Sequence, residues 1–174
     1  MATTAANVRV AVTGGVYTAP VGSTAPTDVT TALDAAFVDL GYVGEDGITQ
    51  SIDKDTTDIT AWQNSDIVRE VQTSHKVTYA LKLIELTADV MEAVYGNHTS
   101  GTTLVTGAAL PHAAWVFHII DGGQLIRLHV PDGQINEIGD VVYANGEEVG
   151  HEVTITAYPD GSGVKAYIYN GAAA

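Results

Sequence analysis

The sequence contains no cysteine, so disulfide bridges and thiolate metal sites are excluded and the redox compartment is left open. Bases are scarce: 7 Lys and Arg stand against 21 Asp and Glu in 174 residues, a formal net charge of −14. A field of that sign repels nucleic acid and anionic lipid, which argues against a phosphate-tracking binder. Charged residues of both signs together make up only 16% of the chain, which argues against a disordered acidic tail. No apolar run approaches the roughly 20 residues of a membrane-spanning helix, so no membrane partner is expected. The opening Met1-Ala2-Thr3-Thr4-Ala5-Ala6 has no basic flank ahead of an apolar stretch. Synthesis in a cytoplasm without a signal peptide is therefore expected.

Val, Ile, Thr and Tyr recur along the chain and 18 glycines punctuate them, the composition of β structure. The hydrophobic share of 45% is enough for a core, and the length suits a single domain over residues 1–174. No internal repeat or linker interrupts it.

Val8–Val12 and Val16–Ala19 read as two strands around a Thr13-Gly14-Gly15 turn, with Pro20 ending the second. Residues 22–31 are rich in Ser, Thr and Pro and read as a surface loop. Thr31–Leu40 has room for a helical turn, and Gly44-Glu45-Asp46-Gly47 reads as a turn before a strand at Ile48–Ile52. Asp53–Asp58 is polar and offers no core face. A short strand at Ile59–Trp62 and the polar Gln63-Asn64-Ser65-Asp66 follow, so Asp53–Asp66 is expected to be a hairpin arm projecting from the body.

Ile67–Thr73 and Lys76–Leu86 read as the next strand pair. In the second, Val77, Tyr79, Leu81 and Leu83 alternate with Lys76, Thr78, Ala80 and Lys82, the period of a half-buried strand. One helix is expected at about residues 87–96, with Thr87 as N-cap, Val90 and Val94 on its apolar stripe and Gly96 as its stop. Gly122-Gly123 predicts a hairpin between His112–Asp121 and Gln124–Val130. Its register puts Trp115, Phe117, Ile119, Ile126, Leu128 and Val130 on a core face, and Val116, His118, Arg127 and His129 on a mixed one. Pro131-Asp132-Gly133 reads as a turn, Ile135–Ala144 as a strand with a break at Gly139-Asp140, and Glu152–Tyr158 with Val164–Tyr169 as a hairpin.

Catalytic and cofactor signatures are absent, so no enzyme and no cofactor is expected. None of the six histidines forms the i, i+4 pair with glutamate of a zinc-binding helix, although His118 and His129 share a predicted face. Gly161-Ser162-Gly163 lacks the spacing of a nucleophile elbow, and neither it nor Gly122-Gly123 opens a helix as a phosphate loop does. Asp53, Asp55 and Asp58 lack the glycine and terminal glutamate of a calcium loop.

One ordered series is informative. Leu40-Gly41-Tyr42-Val43-Gly44-Glu45-Asp46-Gly47-Ile48 leads into Ser51-Ile52-Asp53 and Thr57-Asp58-Ile59-Thr60-Ala61-Trp62. After Asp66 come the long alternating strand and Thr87-Ala88-Asp89-Val90-Met91-Glu92-Ala93-Val94-Tyr95-Gly96. The series, which spans about Phe37 to Asn97, resembles the major tail proteins of long-tailed, non-contractile bacteriophages.

The resemblance implies a mainly β fold of two packed sheets with one short flanking helix and a long projecting hairpin arm. It implies hexameric rings that stack into a hollow tube and let double-stranded DNA pass without specific binding. A tape measure protein and a tail terminator are the partners it implies, and the virion tail is the location. It supplies no catalytic or metal-binding residues. The assembly arm maps onto the polar interruption, with Asp53, Lys54, Asp55, Asp58, Trp62 and Asp66 as its residues. The extra C-terminal immunoglobulin-like domain of some relatives is not expected after Ala174. Two alternatives share the composition: the tube protein of a type VI secretion machine, and a carbohydrate-binding or adhesion β-sandwich with aromatic platforms such as Trp62 or Tyr167.

Overall fold

The computed structural model describes residues 7–173; the opening segment 1–6, on which the signal-peptide expectation rests, lies outside them. In chain order the elements are β1 (Thr13–Pro20), β2 (Val38–Asp39), β3 (Val43–Thr60), β4 (Ile67–Leu83), α1 (Ala88–Tyr95), β5 (His98–Thr99), β6 (Thr102–Thr103), β7 (Ala113–Asp121), β8 (Gln124–Ile138), β9 (His151–Ala157) and β10 (Tyr167–Ala172). The fold is mainly β with one short helix, as expected, and its strands form two sheets. The large one runs β2-β1-β7-β8-β9-β4-β3, with β10 also paired to β8, and every ladder is antiparallel. The small one is β5-β6.

The large sheet folds over onto itself. Strands β7 and β4 are three ladders apart in it, which in a flat sheet is about 14 Å at the usual strand spacing. Yet the rings of Phe117 on β7 and Tyr79 on β4 stack with centroids 5.0 Å apart. The two halves of the sheet therefore face each other as layers across one core. Val16, Tyr79, Leu83, Trp115, Phe117, Val130, Val153 and Ile155 fill it and are all buried. The alternation in β4 is as read: Val77, Tyr79, Leu81 and Leu83 point inward. So is the hairpin across Gly122-Gly123, where Trp115 faces Val130, Phe117 faces Leu128 and Ile119 faces Ile126.

α1 closes one end of this core. The Thr87 hydroxyl accepts the Val90 amide at 3.3 Å, and Gly96 ends the helix at φ 70°, its amide donating to the Glu92 carbonyl. Left-handed φ costs glycine nothing, whereas any residue with a Cβ is strained there. Val90 and Val94 are buried against the sheet.

Several local readings are corrected. Thr13-Gly14-Gly15 is no turn: β1 runs straight through it and pairs with β7, Gly14 opposite Ile119. The glycine serves close approach, since a Cβ at Gly14 would lie 2.2 Å from the His118 carbonyl oxygen. Val8–Val12 is not a strand of the sheet, although the Val12 amide donates to the Ile120 carbonyl at 3.1 Å just ahead of β1. Thr31–Leu40 contains β2 and no helix. Gly44–Gly47 and Pro131–Gly133 are irregularities inside β3 and β8 where register shifts, so the chain bulges without turning back. Ile67–Thr73 and Lys76–Leu86 are not a pair but one strand, β4, ending at Leu83. Residues 139–150 carry no strand, so the reading of Ile135–Ala144 stops at Ile138.

Strand β10 is not the hairpin partner of β9. The Asp160 carboxylate accepts the amides of Ser162 and Val164 and the hydroxyl of Tyr167. This turn throws the chain across to β8, where β10 takes the edge beside Gln124–His129 while β9 takes Gly133–Ile138. The mixed face of the β7–β8 hairpin is likewise not a solvated one. The segment between β1 and β2 covers it: Val29 is buried, Phe37 meets His129 edge-on, and the Arg127 guanidinium donates to the carbonyls of Asp28 (2.8 Å) and Thr31 (2.6 Å).

Candidate assembly arm

The arm is the outer part of the β3–β4 hairpin. All residues of β3 from Thr49 to Thr60 are exposed, as are those of β4 from Ile67 to Lys76 apart from half-buried Val71. Beyond the Asp53–Lys76 pair the strands continue to Thr60 opposite Ile67. At the usual rise this is a ribbon of about 25 Å with no core beneath it. The tip is a tight turn: the Ala61 amide donates to the Asp66 carbonyl at 2.8 Å, and Asn64 and Ser65 both take left-handed φ near +55°. Left-handed φ is more accessible to Asn than to most residues with a Cβ, so this polar quartet suits the turn.

The six arm residues read from the sequence all lie on this ribbon, but it does not bring them together. Asp53 and Asp55 point to one face and Asp58 to the other, so no calcium-like cluster forms. Among the described residues no group of three His, Asp or Glu could hold a metal ion. Asp53 stands opposite Lys76 and Lys54 opposite His75, while the Asp55 carboxylate accepts the Ser74 hydroxyl at 2.6 Å. Asp58 faces Glu70 across the ladder, a like-charge pair that weakens an isolated hairpin. Trp62 and Asp66 sit at the turn, and Trp62 is 96% exposed. At the base, the Lys165 ammonium donates to the His75 carbonyl and ties arm to body.

The arm is longer than the sequence reading placed it. Ile67, Val68, Arg69, Glu70 and Lys76 belong to it, not to a second body hairpin. Three of the seven bases of the chain, Lys54, Arg69 and Lys76, are therefore on this one ribbon. With Trp62, exposed Ile59, Ile67 and Val68 give the outer end an apolar character. The signal was legible only in part: Ile67–Thr73 and Ile59–Trp62 flank the polar Gln63–Asp66 as hairpin strands do, but the Asp-rich stretch 53–58 carries no strand propensity of its own.

Three histidines of the body, His129 and His151 buried and His118 half-buried, are not a site on this arm. Burial lowers the pKa of His118, and nearby Arg127 lowers it further; burial alone lowers that of His151. For His129 burial lowers the pKa and Asp160 opposes the shift. These rings are neutral parts of the packing, His129 stacking on Tyr167, which in turn stacks on Tyr169. Tyr167 is thus half-buried and engaged with Asp160 instead of forming an open platform.

A layered β body with a long ribbon that its own core does not support is the build of a structural protein completed by neighbours. The chain belongs to the phage tail tube protein family, which it matches over residues 1–170. It is accordingly a structural protein of the virion that works as an oligomer in the tail. No curated protein matches it. Among solved structures, a chain of the virion of a native gene transfer agent particle is similar at 12% identity and a TM-score of 0.40, over 86% of this chain and 99% of the other.

Proposed function

We propose that this chain is the repeating subunit of a tail tube: it closes into hexameric rings that stack into a hollow conduit for double-stranded DNA. The carrying observation is the arm, exposed along its length with apolar Ile59, Trp62, Ile67 and Val68 flanking its polar turn, in a chain of the tail tube family. A long ribbon with uncovered apolar side chains in water is a contact surface awaiting a partner. The ring number follows from the family resemblance. The free edge supports lateral closure: β3 is the last strand of the sheet, and the backbone groups along its outer side seek a partner. Head-to-tail contacts of this kind either close as rings or continue as filaments, and a stacked tube uses both.

The charge has a role in this reading. Between Asp53 and Lys76 lie five acids and three bases, which leaves 16 acids and 4 bases for the rest of the chain. A bore lined by repeated carboxylates repels a DNA rod and keeps it from sticking in transit. Repulsion over a Debye length of about 8 Å still reaches DNA in a narrow channel. The subunit works without catalysis or cofactor as one tail tube domain, made in the host cytoplasm, with a tape measure protein inside and a terminator at the end. Electron microscopy of the purified chain tests this: rings or tubes are expected, and dispersed monomers at high concentration refute it. Removing Lys54–Ser65 is expected to leave a folded, soluble body that forms no tubes; normal tubes from that deletion overturn the assignment of the arm.

A further inference from the structure

We propose that the outer face of the layer formed by the second half of β8, β9, β4 and the root of β3 is the wall of the bore, the surface past which duplex DNA slides. The proposal rests on the reading of the chain as a tube subunit and names the residues that meet the cargo.

The two layers of the body differ on their outer faces. In the layer of β2, β1, β7, the first half of β8 and β10, outward-facing Val116, Arg127 and His129 are only 0%, 4% and 2% exposed. The segment between β1 and β2 lies over them. The other layer carries no such cover. Its ladders align two rows across the outer face. Glu137, Thr154, Ala80 and Thr49 form one, and Gln134, Thr156, Thr78 and Ser51 form the next. Thr49, Ser51 and Glu137 are exposed, and Thr78, Ala80, Gln134 and Thr154 are half-buried among their neighbours. The alternate residues of the same strands, Val77, Tyr79, Val153 and Ile155, fill the core. This is the alternation of a sheet with one packed face and one wet face. Five of the eight residues in the two rows are Thr or Ser and one is Ala. Such short side chains make a smooth wall with no long cation to catch a phosphate.

Edges and widths decide which way the face points. β3 is the last strand of the sheet, and the ladder of β8 with β7 ends at Gly133. Among the described residues, 134–138 therefore pair with β9 alone. This layer is open at both sides and can run on through neighbouring copies as one continuous sheet, which removes both edges. All the bulk lies on one side of it: the core, the layer of five strands and the segment over that layer. At the usual spacing five strands span about 24 Å and four about 19 Å, so each copy is a wedge. Wedges close into a ring with the broad side outward, because circumference grows with radius. Turned the other way, the bodies would fill the bore.

The charges on this face suit a polyanion in transit. Lys82 donates to Glu148 at 2.8 Å. That bond raises the Lys82 pKa, and the charges of Glu148, Glu147 and Glu152 add to the rise. Asp46 and Asp140 line the same open cavity of about 740 Å³ as Lys82 and Glu152. One row nearer the arm, Lys76 stands opposite Asp53. With Glu137, seven acids stand against two bases, and each base has an acid beside or opposite it. A wall of that balance repels phosphates and offers no counterion-releasing contacts.

The absence of cysteine makes the test clean. Thr154→Cys and Ser51→Cys place a thiol on the face, and Thr27→Cys places one on the exposed side of the covering segment. Assembled tubes of each are treated with N-ethylmaleimide, or with a maleimide coupled to a globular protein too large to enter the bore. Free subunits set the reference rate for each reagent. Tubes of Thr154→Cys and Ser51→Cys are expected to keep their reaction with the small reagent and lose it with the large one. Thr27→Cys tubes are expected to react with both. Reaction of Thr154→Cys and Ser51→Cys tubes with the large reagent at the free-subunit rate puts the face outside the tube and overturns the proposal. Loss of reaction with both reagents puts it in a contact between copies and overturns it too, as does failure of both variants to assemble where Thr27→Cys assembles. Wild-type protein that forms neither rings nor tubes identifies a different failure, that of the tube reading, and the proposal falls with it.

Discussion

Phe117→Ala tests the folded-over sheet most directly. Phe117 is fully buried and stacks on Tyr79 with ring centroids 5.0 Å apart and planes 30° apart. Truncating a buried Phe costs about 3–5 kcal/mol, the lost transfer free energy plus the cavity left behind. A domain holds only about 5–15 kcal/mol in all, so this is a large share of the total. At roughly 2–4 °C per kcal/mol for a chain of this size, the melting temperature should fall by about 6–20 °C. Urea unfolding followed by circular dichroism measures it, with a lower midpoint and an unchanged slope expected. The decisive version is a double-mutant cycle with Tyr79→Ala. Residues in contact couple by about 0.5–3 kcal/mol, whereas residues more than about 10 Å apart add to within about 0.5 kcal/mol. Three flat ladders of separation would make the pair additive. Coupling above about 1 kcal/mol is expected here; an additive pair refutes the layering of β4 on β7, and an unchanged melting temperature refutes the burial of Phe117 itself.

Other outcomes follow from the same structure. Gly14→Ala should cost about 1–3 kcal/mol, because the new methyl meets the His118 carbonyl 2.2 Å from its ideal position; a neutral result in urea unfolding would restore a turn at that site. Arg127→Gln should cost about 2–3 kcal/mol and make residues 21–37 sensitive to limited proteolysis, since the carbonyls of Asp28 and Thr31 lose a charged donor. Burial depresses the pKa of His118, His129 and His151, so the unfolded chain binds protons first as pH falls. The stability they contribute is complete above about pH 6.5 and declines below it toward their folded values. Relief of acidic self-repulsion acts in the opposite sense, so the readout is His129→Gln, which should flatten the fall in urea midpoint between pH 7 and pH 5 relative to wild type. In an assembled tube the luminal surface potential should be negative, and free subunits should not retard duplex DNA at ordinary salt; a neutral or positive lumen would place the acids elsewhere.

Much of the body was legible because local rules and tertiary packing agree there. The period-2 pattern of Val77, Tyr79, Leu81 and Leu83 has one apolar side, so only one orientation buries it. The Gly122-Gly123 turn sets the register of Trp115, Phe117, Ile126 and Leu128 through its length alone. Thr87 and Gly96 mark the ends of the helix by chemistry that needs no partner beyond the helix itself. The polarity of Asp53–Asp58 was enough to exclude it from a core. What the sequence left undecided depends on distant neighbours. Gly14 in isolation suits a turn as well as a strand; only the carbonyl of residue 118 beside it selects the strand. Asp160 marks a turn, but whether the next strand returns to β9 or crosses to β8 depends on the edge left free beside Gln124–His129. Arg127 and His129 look solvated in a strand pattern, and become buried only because two carbonyls nearly a hundred residues away satisfy the guanidinium. Likewise neither Val38 on β2 nor Ala93 on α1 shows in its own element that the two line one cavity between α1, the end of β1 and the start of β7, because a cavity belongs to the packing of elements against one another.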